Sequence, residues 1–210
     1  MVSSSLRFRY LLGESTNPLS KFQDVKQTTS NQEHDGIATN GKLTAMGWTQ
    51  NSSIAVFSTY DFKRFDANIP LIKGHNGAIT DLGFSPFHET LLASASEDGL
   101  VKLWVLPEEG LTEHIKEEDM ELRGHTKKVL ALRWHHIAEN LMATYSFDNN
   151  VKIWDVSAGT ASHSFTKLSN VPTAMQWSPK GNMLGLMLKG STMTFIDPRV
   201  ETSVLSGASH

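Results

Sequence analysis

GHNGAITDLGFSPFHETLLASASEDGLVKLW, residues 74–104, is answered fifty residues later by GHTKKVLALRWHHIAENLMATYSFDNNVKIW, residues 124–154, with no gap. Gly74-His75 matches Gly124-His125, Ile79 matches Val129, Leu82 matches Leu132 and Phe84 matches Trp134. The register holds through Ser94/Thr144, Asp98/Asp148 and Lys102/Lys152 to Trp104/Trp154. So many matched residue classes at one offset mark two copies of one supersecondary unit. Inside each copy, apolar residues alternate over runs of four to six, and Ser85-Pro86 and Asp98-Gly99 punctuate them. That pattern predicts short antiparallel strands joined by tight turns, with Gly99 and Asn149-Asn150 supplying the positive φ of the hairpins. Three strands come from the apolar runs, and a fourth is expected before the next Gly-His.

A four-stranded unit that opens on Gly-His and closes on Trp is the pattern of WD repeats, which build the blades of β-propellers. In such repeats a His, an Asp, a strand hydroxyl and a Trp indole form a hydrogen-bonded chain. The residues in those places are His75, Ser94, Asp98 and Trp104, and then His125, Thr144, Asp148 and Trp154, with Ser96 and Ser146 as second choices for the hydroxyl. A His-Asp-Ser set invites comparison with a hydrolase triad. Its recurrence in both units, with the Trp included, assigns it to structure, since buried polar atoms need partners. The fifty-residue period exceeds the usual WD spacing of about 40–45. The excess falls in Pro107–Asp119, PEEGLTEHIKEED, read as a solvated loop or a prolonged outer strand away from the core.

Weaker copies flank the pair. Downstream, residues 173–197 repeat the strand pattern, but Gly190 stands in the turn-Asp place and Ile196 in the Trp place. Upstream, Leu43–Trp48 and Ile54–Thr59 give two strands of a degenerate first blade. The expected fold is all-β: a WD40-type propeller portion over 43–210 with blades at about 43–73, 74–123, 124–164 and 165–205. Residues 200–210 resemble the opening of a fifth blade, and residues 1–42 read as a mostly irregular segment.

Composition narrows the function. A net charge of −3 argues against general nucleic-acid affinity. The chain has no Cys, hence no disulfide framework or thiolate metal site. No apolar run has the length of a membrane span or of a signal peptide. His34, His88, His114, His163 and His210 are scattered surface residues on this reading, and His135-His136 would point to opposite faces of a strand. No metal, cofactor or catalytic signature emerges, so an enzyme is not expected.

One resemblance is more specific. The string SEDGLVKLWVLPEEGLT, residues 96–112, is similar to the second blade of coronins, and GHTKKV at 124–129 and FIDPR at 195–199 agree with it. SKFQDVK, residues 20–26, resembles the Ser-Lys-Phe motif that opens that family, although Gln23 fills the place that is basic there. The resemblance implies about four blades of a seven-bladed ring, left incomplete, and an actin-filament-binding protein of the cytoplasmic cytoskeleton. Filaments are acidic, so a contact face would be locally basic. The candidates are Lys21, Lys26, Lys63, Arg64, Lys73, Lys127, Lys128 and Arg199, with Lys127 and Lys128 favoured because they sit on a propeller rim. An incomplete ring would expose two open blade faces and self-associate through them. The alternative reading is a scaffold for other proteins at the rim, serving membrane traffic or presenting ubiquitin-ligase substrates.

Overall fold

The computed structural model describes residues 21–27, 36–49, 52–66, 68–166, 168–190 and 192–200, and the backbone of 204–208. Its strands form four antiparallel sheets. Blade 1 contains β1 (Ile37–Thr39), β2 (Leu43–Gly47) and β3 (Ile54–Ser58). Blade 2 contains β4 (Ile79–Phe84), β5 (Leu91–Ser96), β6 (Val101–Val105) and β7 (Met120–Leu122). Blade 3 is β8 (Val129–Trp134), β9 (Leu141–Ser146), β10 (Val151–Asp155) and β11 (Thr160–Phe165). Blade 4 is β12 (Pro172–Trp177), β13 (Leu184–Leu188), β14 (Thr192–Ile196) and β15 (Val204–Ala208). The first strands β1, β4, β8 and β12 neighbour one another in succession, as the inner strands of propeller blades do.

The repeat reappears as geometry. β4 and β8 carry the same irregularity, between Ile79 and Asp81 and between Val129 and Ala131, and β12 has its own between Pro172 and Ala174. A bulge re-aims the residues after it. Three apolar layers fill the spaces between sheets. Leu43, Ile54, Ile72, Ile79, Leu92 and Trp104 join blades 1 and 2. Val101, Leu103, Leu132, Met142 and Trp154 join blades 2 and 3, and Tyr145, Ile153, Trp177, Leu184 and Leu186 join blades 3 and 4.

The structure corrects five expectations. Ile37–Thr39, inside the segment read as mostly irregular, is the inner strand of blade 1, three residues long and too short to show periodicity. Val204–Ala208 does not open a fifth blade; it pairs with β14 as the fourth strand of blade 4, because one run of alternating residues suits either end of a sheet. The 107–119 insertion is no free loop. Gly110 bridges to Phe57 and Ile115 to Ile72, while Ile115 N–H donates to Leu71 O and Lys73 N–H to Ile115 O. Leu71 N–H donates to His114 Nδ1 at 3.0 Å, and Leu111 and Ile115 pack on the core between blades 1 and 2. A segment of blade 2 thus finishes the outer edge of blade 1, leaving less unpaired strand to recruit other chains.

Fourth, His135 and His136 do not diverge. β8 ends at Trp134, and past it the two rings stack with centroids 5.4 Å apart. Their Nε2–H groups donate across to Gly181 O and Pro179 O of blade 4. Fifth, among the described residues the two terminal blade faces differ. The far face of blade 1 is covered by the chain itself, with Phe22 lying against Phe57, Phe62 and Phe65. On the far face of blade 4, Met193 and Phe195 remain 38% and 41% exposed. His34 and His210 lie outside the described residues.

Candidate functional site

In blade 2 the polar chain runs through buried side chains. Trp104 Nε1–H donates to Ser94 Oγ at 2.8 Å, Ser94 Oγ meets His75 Nε2 at 2.7 Å, and His75 Nδ1 meets Asp98 Oδ2 at 2.9 Å. Blade 3 repeats it, with Trp154 to Thr144 at 2.8 Å, Thr144 to His125 at 2.8 Å and His125 to Asp148 at 3.0 Å. The indole can only donate and a carboxylate only accept, so the chain has one direction: indole to hydroxyl, hydroxyl to Nε2, Nδ1–H to carboxylate. The carboxylates also accept the N–H groups of Asn76 and Leu100, and of Thr126 and Asn150. Ser96 and Ser146 take another part: each accepts the N–H of the turn Asp at 3.2 Å. Gly99 and Asn149 hold the positive φ of these hairpins, 84° and 62°.

The electrostatics follow from that direction. Burial would raise the Asp98 carboxyl, but hydrogen bonds from His75 and the backbone hold it well below its ordinary range. Asp148 is lowered against its own burial by the N–H of Thr126 and by His125. Burial lowers His125, with partial compensation from Asp148, so the imidazole is held neutral. Ser94 and Thr144 are wholly buried and hydrogen-bonded on both sides. The set fastens blades; no substrate reaches a hydroxyl there.

A second polar device lies between blades. Asp81, which interrupts the apolar alternation of β4, is 1% exposed. Its Oδ2 accepts from Leu132 N–H at 3.0 Å and from Arg133 Nη1 at 2.7 Å, both on β8. Burial raises this carboxyl, and Arg133 opposes the rise. Thr80 Oγ1 donates to Val129 O at 2.7 Å and Trp134 Nε1–H to Gly83 O at 2.9 Å, so the inner strands are stitched side to side. Trp177 Nε1–H repeats the last contact on Arg133 O.

The structure gathers four of the eight candidate cations. Gln23 N–H donates to Lys63 O and Phe65 N–H to Gln23 O, which lays residues 21–27 along the 63–65 segment. Lys21, Lys26, Lys63 and Arg64 therefore share the outer side of blade 1 with Val25, Tyr60 and Phe62, exposed at 41%, 73% and 45%. Lys63 pairs with Asp61 and Arg64 with Asp24, whereas Lys21 and Lys26 form no ion pair among the described residues. Lys73, Lys127 and Lys128 lie elsewhere. Lys73 is on the edge that Ile115 completes, and Lys128 reaches Glu97 at 3.4 Å and covers Phe147 at 5.4 Å. Arg199 closes a two-pronged bond on Asp197 and holds that carboxyl down at about 2.

Comparison with known proteins places this geometry. The family description "WD domain, G-beta repeat" matches residues 68–105 and 116–155. The coronin-like protein of Saccharomyces cerevisiae is 27% identical over 97% of this chain, and human coronin-7 is 30% identical over 95%. The crystal structure of the WD40 domain of Toxoplasma gondii coronin superposes over 90% of the chain with a TM-score of 0.84 and 32% identity. The chain is a coronin-like WD-repeat protein. It spans 33% of the yeast relative, 22% of coronin-7 and 49% of the Toxoplasma domain.

Within this coronin-like frame, two functional features escaped sequence reasoning. Asp81 read as a break in an apolar run, and its partner Arg133 is 52 residues away. The only signal was its offset: the matching position in the next copy is Ala131, so the staple belongs to one blade junction. The meeting of residues 21–26 with 60–66 was equally hidden, since neither segment has strand periodicity. Among the described residues no group of His, Asp and Glu has the arrangement of a metal site, and no helix is long and apolar enough to cross a membrane.

Proposed function

We propose that this chain binds actin filaments and helps organise the actin cytoskeleton, with the outer side of blade 1 as its principal contact. The observation that carries the reading is the gathering of Lys21, Lys26, Lys63 and Arg64 around the docked Phe22, beside exposed Tyr60 and Phe62. Four cations face three carboxylates there, Asp24, Asp61 and Asp66, which leaves a positive excess on a chain of net charge −3. Lys21 and Lys26, which form no ion pair among the described residues, are the members that meet the filament. Exposed aromatic rings beside cations suit a protein surface with an acidic rim. Lys127 and Lys128 form a secondary contact, as Lys128 is already engaged by Glu97 and Phe147. Gln23 contributes backbone rather than charge, since its N–H and C=O hold the segment in place. The propeller portion on this reading begins with β1 rather than at residue 43, and the protein acts in the cytoplasm at the cytoskeleton.

Co-sedimentation with filaments across a salt series tests the assignment. The unaltered chain pellets with filaments and is released as salt rises. Lys21→Glu with Lys26→Glu weakens binding about tenfold, and Lys127→Glu with Lys128→Glu does so to a smaller extent. Binding that ignores the first pair of substitutions removes the blade 1 face from the reading, and no pelleting at low salt removes actin.

A further inference from the structure

We propose that a cavity between blades 1 and 2 is a docking site for an arginine-bearing segment of a partner protein. It lies where the β1–β2 turn meets the β4–β5 turn. Its volume is about 310 Å³, and Asn40, Lys42, Phe87, His88, Glu89 and Glu108 contribute to its lining. That is at the small end of the range for ligand sites, room for an anchoring side chain and its neighbour.

The walls are fixed before any ligand arrives. Asn40 Oδ1 accepts from Lys42 N–H at 2.9 Å and Leu43 N–H at 2.7 Å, while its Nδ2 donates across to Glu89 O. Ser85 Oγ accepts from Phe87 and His88 N–H, and His88 Nε2 meets Glu139 of the following blade at 2.9 Å. Yet Phe87, held in so ordered a turn, is 41% exposed, and Ile137 at the matching place of blade 3 is 57% exposed. Both are apolar surfaces kept out of the core.

The charge selects the partner. Lys42 is the cavity's single lysine, and its hydrogen bond and ion pair with Glu89 raise it above its ordinary value. Glu108 and Glu109 add to that rise from further away, so the lysine does not cancel the local negative field. Glu108 has no hydrogen bond or ion pair among the described residues, and the exposed Phe87 contributes to the same lining. A guanidinium satisfies both: its planar fork matches a carboxylate, and its face stacks on a phenyl ring. An ammonium offers only a point charge. The sign of this site is opposite to that of the blade 1 face, so its partner is not the acidic filament.

The test uses the full chain and a fluorescein-labelled peptide, Gly-Ser-Leu-Arg-Leu-Ser-Gly, followed by fluorescence anisotropy. Saturable binding is expected, and it weakens about tenfold when the peptide arginine becomes lysine or citrulline. Glu108→Gln and Phe87→Ala each weaken it to a similar degree, and Lys189→Ala, at an exposed residue of blade 4, leaves it unchanged. Both altered residues are on the surface; circular dichroism checks the fold, and the peptide series stands without them. No saturation by about 1 mM peptide overturns the proposal, as does equal binding of the citrulline peptide or indifference to Glu108→Gln. Filament co-sedimentation reports separately on the blade 1 reading.

Discussion

Replacing Thr144 by Val isolates what the polar chain of blade 3 contributes. The two side chains have nearly the same shape, so no cavity opens; only the hydroxyl is lost. Two bonds go with it, the 2.8 Å bond from Trp154 Nε1–H and the 2.8 Å bond to His125 Nε2. Trp154 is 1% exposed and the His125 side chain is fully covered, so water cannot replace the hydroxyl at either atom. Each orphaned buried group costs about 1–3 kcal/mol, which gives about 2–6 kcal/mol for the pair. Some relaxation of the imidazole puts the expectation near the lower middle, about 3 kcal/mol. In a domain of this size that lowers Tm by about 6–12 °C. Thr144→Ser is the control, since it keeps the hydroxyl and removes one methyl, at about 1 kcal/mol. Adding Trp154→Phe to Thr144→Val removes the orphaned donor, so the double variant is less destabilised than the two single changes together, by about 1–2 kcal/mol. Urea unfolding followed by circular dichroism reads the parent and all four variants. A Thr144→Val chain within about 1 kcal/mol of the parent, or equal to Thr144→Ser, refutes the argument that the hydroxyl satisfies both neighbours.

Three further outcomes are expected. Stability falls on acidification: His125 is lowered in the fold, so its contribution is present above its ordinary value of 6.5 and is lost below it, while Asp98 and Asp148, also lowered, lose theirs from 3.8 downward. Thermal melts that rise between about pH 7 and 5 contradict this. Arg133→Met strands the Asp81 carboxylate and costs about 3 kcal/mol at neutral pH. Because burial holds that carboxyl above its ordinary value, the deficit relative to the parent shrinks as pH falls, and a deficit that grows in parallel melts is the wrong sign. Gly181→Ala costs about 2 kcal/mol or more by chemical denaturation, since Gly181 has φ 70° and an added Cβ would come within 2.4 Å of the pinned His135 ring; a neutral result means the 178–183 turn simply moves.

What could be read from the sequence was whatever repeats locally. The His75, Asp98 and Trp104 spacing recurs because blades 2 and 3 each close their own polar chain within 30 residues, tying two strands to the loops beside them. Blade 4 remained legible through Trp177 and Leu184–Leu188 even with Ile196 in the Trp place, because apolar packing alone retains the strand period. The losses were non-local. Ile115 finds Ile72 and Asp81 finds Arg133 across intervals with no pattern of their own. The histidine pair escapes for a related reason: both residues lie past Trp134, the last residue of β8, where strand alternation no longer holds. At the basic face, residue types gave eight candidates, but only the backbone pairing of Gln23 with Lys63 and Phe65 selected four of them.

The borrowed edge of blade 1 imposes a timetable on synthesis. Ile72 leaves the ribosome long before Ile115, its outer neighbour, and translation at 5–20 residues per second puts about 2–9 s between them. Through that interval the nascent blade has an apolar face awaiting Trp104 and a strand edge awaiting a partner. Blades 1 and 2 therefore fold as one unit that completes only when the insertion emerges, and a translational pause before residue 115 would lengthen the period in which nascent chains can pair with one another.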